Sequence, residues 1–209
     1  MFFEPDPTAQ DLVEPPEPPP TPPWLSPPAE EMGVIVPFQR VVFRGDSVVV
    51  VLSSARVYTT GCLLLTEVVA RRGDMPLNEW WELRGIGHST MFTGVTAEGG
   101  LPDKVLRFGV RLPDGTKATT LGGLRRAAAR EVPPSGSTLT WTPVGGGGRS
   151  GGGMHLNHTV HGLWLWPLPP PEPLEFAVEW PFGGIDLTIV ELDGRLITEA
   201  AGRSEPYWP

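Results

Sequence analysis

The chain has 209 residues, 40% of them hydrophobic, with 26 Pro, 26 Gly and one Cys. Its formal net charge of −8 is unevenly spread: residues 1–31 hold 7 acidic and no basic groups, which leaves 17 acidic and 16 basic groups for the rest. A near-neutral body is poorly suited to neutralising phosphates, a chain without an apolar run of roughly 18 residues offers no membrane helix, and a lone Cys62 permits no internal disulfide.

Residues 1–31 carry 11 of the 26 prolines. The run Pro15-Pro16-Glu17-Pro18-Pro19-Pro20-Thr21-Pro22-Pro23 lacks backbone donors and has fixed φ angles, so neither a helix nor a central strand fits it. A disordered, acidic, proline-rich tail over 1–31 is expected, with Trp24-Leu25 available to dock. Met1-Phe2-Phe3-Glu4-Pro5 has no basic or apolar region of a secretory signal. Together with the absence of disulfides, this points to a cytoplasmic location. Residues 32–209 have the length of one domain.

Val48 to Leu52 is a β-branched run of the kind a central strand uses, and residues 62–71 are expected to pair back across Tyr58-Thr59-Thr60-Gly61. Cys62, between Gly61 and Leu63, reads as a small buried hydrophobe. Residues 76–84 suit a short helix with Pro near its first turn and Gly85 as its stop. Over 105–112, Leu106, Phe108, Val110 and Leu112 alternate with Arg107, Gly109 and Arg111, which marks a strand with one buried face. Pro113-Asp114-Gly115 then makes a turn, and 116–121 return antiparallel. Leu139 and Trp141 share a face opposite Thr138, Thr140 and Thr142. The Gly-rich stretch 144–153 reads as a loop.

The alternation resumes at 174–180, where Leu174, Phe176, Val178 and Trp180 oppose Glu175, Ala177 and Glu179. Residues 195–201 suit a helix closed by Gly202, while Asp193-Gly194 also fits a hairpin turn; the alanines favour the helix. Eight or nine strands with at most one or two short helices give an all-β fold, an antiparallel β-sandwich of immunoglobulin-like or jelly-roll type.

Chemical motifs are sparse. The frame Pro143 to Ser150 lacks the first Gly and the Lys of a phosphate loop. Gly87-His88-Ser89-Thr90-Met91 has Met where a nucleophile elbow needs Gly. Arg125, Arg126 and Arg130 read as a solvated loop. His155, His158 and His161 are three of the four histidines and the one sequence-level hint of a metal site. In a strand, however, His155 and His161 share a polar face about 20 Å apart, at roughly 3.3 Å per residue, and His158 points the other way. Asn157-His158-Thr159 is a formal glycosylation sequon. Trp164 and Trp166 share a strand face opposite Leu163 and Leu165. Core packing of the sandwich is the first reading of these side chains; the alternative is that with Trp208 they form a candidate interaction surface, an aromatic groove for a proline-rich segment or sugar, intramolecular or between subunits.

Leu163-Trp164-Leu165-Trp166-Pro167-Leu168-Pro169-Pro170-Pro171, running into residues 174–180 and Gly184-Ile185, with Tyr58-Thr59-Thr60-Gly61 upstream, resembles a family of actinobacterial proteins with no assigned function. The resemblance covers most residues after 30 and implies no activity or catalytic residue. The expected function is therefore that of a non-catalytic interaction or structural accessory module with a protein partner and no cofactor. The alternative is a metal-dependent enzyme of jelly-roll type that draws histidines from several strands. Oligomeric state is left open.

Overall fold

The computed structural model describes residues 20–87, 101–122, 132–142, 144 and 155–208. The expectations for residues 1–19, for the His88 to Met91 part of the elbow-like motif, for Arg125, Arg126 and Arg130, and for the Gly-rich stretch beyond Val144 fall outside these residues.

The fold is all-β and antiparallel. Eleven strands are described: β1 (Glu31–Met32), β2 (Val34–Arg44), β3 (Val48–Val57), β4 (Cys62–Arg71), β5 (Arg107–Arg111), β6 (Lys117–Thr119), β7 (Thr138–Thr142), β8 (Leu156–Trp166), β9 (Leu174–Trp180), β10 (Ile185–Leu192) and β11 (Glu205–Pro206). Among the described residues two α-helices accompany them, α1 (Leu77–Gly87) and α2 (Gly194–Ala201). One sheet has the order β2-β3-β4-β8-β7, a second β10-β9-β5-β6, and β1 pairs with β11 in a short ribbon.

A single hydrophobic cluster draws on both large sheets. Leu52, Leu64, Leu139, Leu163 and Leu165 come from the first, and Phe108, Val110, Phe176 and Val178 from the second. Phe108 stacks on Phe176 within its own sheet and meets Trp141 of the other edge-on at 5.5 Å. The inward set expected from the alternation over 106–110 and 174–178 is in place: Leu106, Phe108, Val110, Leu174, Phe176 and Val178 are all buried, while Leu112 is half-buried. The turn between β5 and β6 places Gly115 at φ +84°, a conformation that favours glycine.

Local chemistry explains the departures from simple patterns. In β3 the inward set is Val48, Val50 and Leu52, then Ala55 and Val57; a register shift between Leu52 and Ser54 absorbs the change of parity. The edge strand β2 holds Pro37 and two register shifts, and Gln39 sits at φ +49°. A missing donor and bulges make that edge a poor template for another strand. Helix α1 does not stop at Gly85 but continues to Gly87. Glycine weakens a helix by about 1 kcal/mol without ending it. At Asp193-Gly194 the helix prevails over the hairpin, because the Asp193 carboxylate accepts the Arg195 amide at 3.0 Å as an N-cap. Helix α2 packs against β2 and β3 through Ile197 and Ala200. Among the described residues no helix is long and apolar enough to cross a membrane.

Candidate functional site

The outer face of the five-stranded sheet, the side away from the shared core, carries an aromatic platform. In the β4–β8 register Leu63 stands opposite Trp164, Leu64 opposite Leu163 and Cys62 opposite Leu165. Period-two alternation puts Leu163 and Leu165 on one face and Trp164 and Trp166 on the other, as the sequence predicts; the leucines turn inward and the tryptophans outward. Trp164 nevertheless has no exposed surface; it clusters with Tyr58 and Leu63, with Leu65 and Trp166 packed alongside. Tyr58 meets its ring edge-on at 5.7 Å. Below the indole lies Gly61. A Cβ there would come within 2.5 Å of the Leu165 carbonyl and 2.8 Å of the Trp164 ring, so only glycine leaves room for the indole.

The platform is covered by the chain's own proline-rich segment. The Trp164 indole Nε1–H donates to the Pro23 carbonyl at 2.8 Å. Trp24 stands edge-on to Trp166 with ring centroids 6.1 Å apart. The Leu25 amide donates to the Pro22 carbonyl at 3.0 Å and turns the segment over the platform. Residues 20–31, expected as part of a disordered tail ending at 31, are thus attached to the body. Trp24-Leu25 is available to dock by sequence, and Trp24 packs against Trp166. Residues 20–23 do lack regular structure.

A strap fixes the segment further along. The Glu31 carboxylate accepts the Thr59 amide at 3.0 Å, the Thr59 hydroxyl at 2.6 Å and the Ser204 hydroxyl at 3.2 Å. Beside it β1 pairs with β11, and the Tyr207 amide donates to the Glu30 carbonyl at 2.8 Å. Burial pushes the Tyr58 phenol above its ordinary range, partly countered by Arg56. Trp208 is 78% exposed and lies outside the buried cluster of Trp164. The residues that complete the site are Pro23, Trp24, Glu31, Tyr58, Thr59 and Gly61. The face shared by Trp164 and Trp166 and the docking expected of Trp24-Leu25 signal it in the sequence.

The histidines diverge. His158 faces outward, with Nε2 2.9 Å from the Glu67 carboxylate. His161 faces inward, 5% exposed, with Trp141 edge-on at 5.1 Å. His155 precedes β8 and is exposed; its carbonyl accepts the Arg72 amide. One expectation is inverted here. His161 is expected on a polar face with His155, yet it is buried, as are Asn157 and Thr159 of the same parity. The β4–β8 pairing runs without a bulge from Cys62↔Leu165 to Arg71↔Leu156, so residues of the same parity as Leu163 and Leu165 must share their inward face. Asn157 of the sequon is among them. Thr138 and Thr140 are buried as well, although the alternation of β7 set them opposite Leu139.

Cys62 is fully buried, and desolvation pushes its thiol up to about 12, so it stays protonated and poorly nucleophilic. Comparison with protein-family models, with curated protein sequences and with solved structures finds no match to this chain.

Proposed function

We propose that the chain is a non-catalytic interaction module, built as an antiparallel β-sandwich, whose outer aromatic face takes up a proline-rich segment. Its own residues 20–25 hold that place in cis. The observation that carries this reading is the indole N–H of Trp164 on the Pro23 carbonyl, beside the edge-on pair of Trp24 and Trp166. Proline-rich segments expose carbonyl acceptors and have little conformational freedom to lose, and aromatic grooves bind them through ring faces and a few such hydrogen bonds. Asp and Glu dominate the titratable groups of residues 1–31 and flank the prolines, which gives the arm a chemistry distinct from the near-neutral body. A cytoplasmic setting belongs to this reading and is supported by a single cysteine kept as a buried thiol.

The test uses the full chain with Trp24→Ala, which loosens the occupant but leaves the platform. A synthetic peptide of residues 15–30 is added, and the indole N–H resonance of Trp164 is followed. The variant should take up the peptide with a saturable shift of that resonance, while the parent chain should show none because its own segment competes at high effective concentration. A variant that keeps its folded spectrum yet leaves the Trp164 signal unmoved by peptide would remove the basis of the proposal.

A further inference from the structure

Where the proline-rich segment touches the tryptophans, it is not an extended polyproline strand. The hydrogen bond from the Leu25 amide to the Pro22 carbonyl at 3.0 Å closes a β-turn, Pro22-Pro23-Trp24-Leu25. Its type follows by elimination. Types II, I′ and II′ need a positive φ at a central position, and among the described residues Gln39 is the one non-glycine residue that has it. Type VI needs a proline where Trp24 stands. A hydrogen-bonded type I turn remains, with Pro23 second, where the fixed φ of proline is favourable, and Trp24 third.

The turn decides which groups face the platform. Its own hydrogen bond uses the Pro22 carbonyl and leaves that of Pro23 free, and the Pro23 carbonyl is the acceptor of the Trp164 indole at 2.8 Å. The next side chain, Trp24, meets Trp166 edge-on. Trp24 Nε1 is buried with no hydrogen-bond partner among the described residues, so its ring and not its donor makes the contact. Both contacts come from the two central residues of one turn.

The same geometry disfavours a plain proline run. The second residue of a type I turn has right-handed helical backbone, and a proline immediately after it clashes with that conformation. Within the run from Pro15 to Pro23, Pro16, Pro20 and Pro23 precede a residue other than proline, and only Pro23 precedes an aromatic one. We propose that the platform recognises a proline–aromatic β-turn, a partner segment with proline at the second position and an aromatic residue at the third, and not an extended polyproline helix. This rests on the reading of the platform as an interaction site, and it names the conformation and the residue pair that its partner presents. Residues 22–25 are the chain's own copy of that ligand.

The experiment uses the full chain with Trp24→Ala and follows the Trp164 indole N–H resonance as peptides are added. Thr-Pro-Pro-Trp-Leu-Ser reproduces residues 21–26. Thr-Pro-Trp-Pro-Leu-Ser has the same composition with the central pair exchanged, and octaproline has no aromatic residue. The first should bind saturably. The other two should bind at least about tenfold more weakly, because they lose the carbonyl hydrogen bond, the aromatic edge contact or both. Phe in place of Trp in the first peptide should cost less than about tenfold, and a larger loss overturns the ring as the recognised group. A smaller difference for either control overturns recognition of the turn and leaves the platform a site for proline-rich segments in general. No shift with any peptide removes that broader reading as well. A second measurement needs no peptide. In the chain itself, Pro23→Trp with Trp24→Pro should speed solvent exchange of the Trp164 indole N–H as much as Trp24→Ala does; protection at the parent's level overturns the turn as the recognised element.

Discussion

Arg107 shows how much a single side chain can depart from its pattern. By alternation it belongs to the water-facing set of β5, and its replacement would then cost roughly 0.5 kcal/mol or less. In the folded chain it is mostly buried and donates to Glu179. Arg107→Ala should therefore cost about 1.5–3 kcal/mol, the range for a hydrogen bond to a charged group. Glu175→Ala, whose partner Arg111 is half exposed, should stay near 0.5 kcal/mol. Phe108→Ala and Phe176→Ala should each cost about 3–5 kcal/mol, since both are buried at the centre of the core. Urea denaturation of the four variants gives the ranking; an Arg107→Ala cost no larger than that of Glu175→Ala would deny the buried pair. Cys62 makes a second residue-scale prediction. Its thiol titrates near 9.0 as a free group and is pushed up to about 12 by burial. Between these values the unfolded chain loses the proton and the folded chain keeps it, so stability is full below pH 9 and falls as pH rises toward 12. From pH 8 to pH 10 the loss from this group should be about 1.4 kcal/mol, one pH unit above the free value. Cys62→Ala should remove that part of the alkaline slope; an unchanged difference between the two pH values in paired denaturation curves would refute it.

At the scale of elements, the sequence is legible wherever period two runs uninterrupted between residues of contrasting polarity. Strands β5 and β9 are of this kind, and their faces are as predicted. Strand β8 is not. Its N-terminal half alternates polar and apolar residues in the sense opposite to its C-terminal half, and only the unbroken pairing with β4 decides which half governs. Leu163 and Leu165 secure the inward face, and Asn157, Thr159 and His161 follow by parity, with the Asn157 amide donating to the Thr159 hydroxyl at 3.3 Å. The bulge in β3 is equally invisible from composition, because Ser53 and Ser54 carry no strong preference for either face. At α2 the deciding term is one cap. Asp193 also holds Arg195 by a second contact, and with that partner and the Arg195 amide beside it the carboxyl sits below its ordinary range. Asp193→Ala should destabilise the protein by about 0.5–2 kcal/mol, and Asp193→Asn, which still caps, by much less. Thermal unfolding distinguishes them; equal losses would point to the ion pair with Arg195 rather than the cap.

Over the whole molecule, the two ends of the described chain meet on one side of the five-stranded sheet. Composition assigned residues 1–31 to a separate tail, because proline density and charge report what a segment does alone and not what a neighbouring surface offers it. The attachment rests on few groups: one indole hydrogen bond, one aromatic edge contact, the β1–β11 ribbon and the three hydrogen bonds to Glu31. Such a set is small beside the shared core, so the segment should open locally without unfolding the sheets. Glu31→Ala tests this most directly. It removes the acceptor shared by Thr59 and Ser204 but touches neither Trp164 nor the core. With the strap weakened by about 1–2 kcal/mol for hydrogen bonds to an exposed carboxylate, the Trp164 indole N–H should exchange with solvent roughly 5- to 30-fold faster, while the midpoint of global urea unfolding moves little. The two readouts separate the possibilities. Faster indole exchange at an unchanged midpoint means that the aromatic face is uncovered by release of the chain's own segment. Faster exchange together with a lower midpoint would mean that the segment is an integral part of the fold and not a displaceable occupant of the platform.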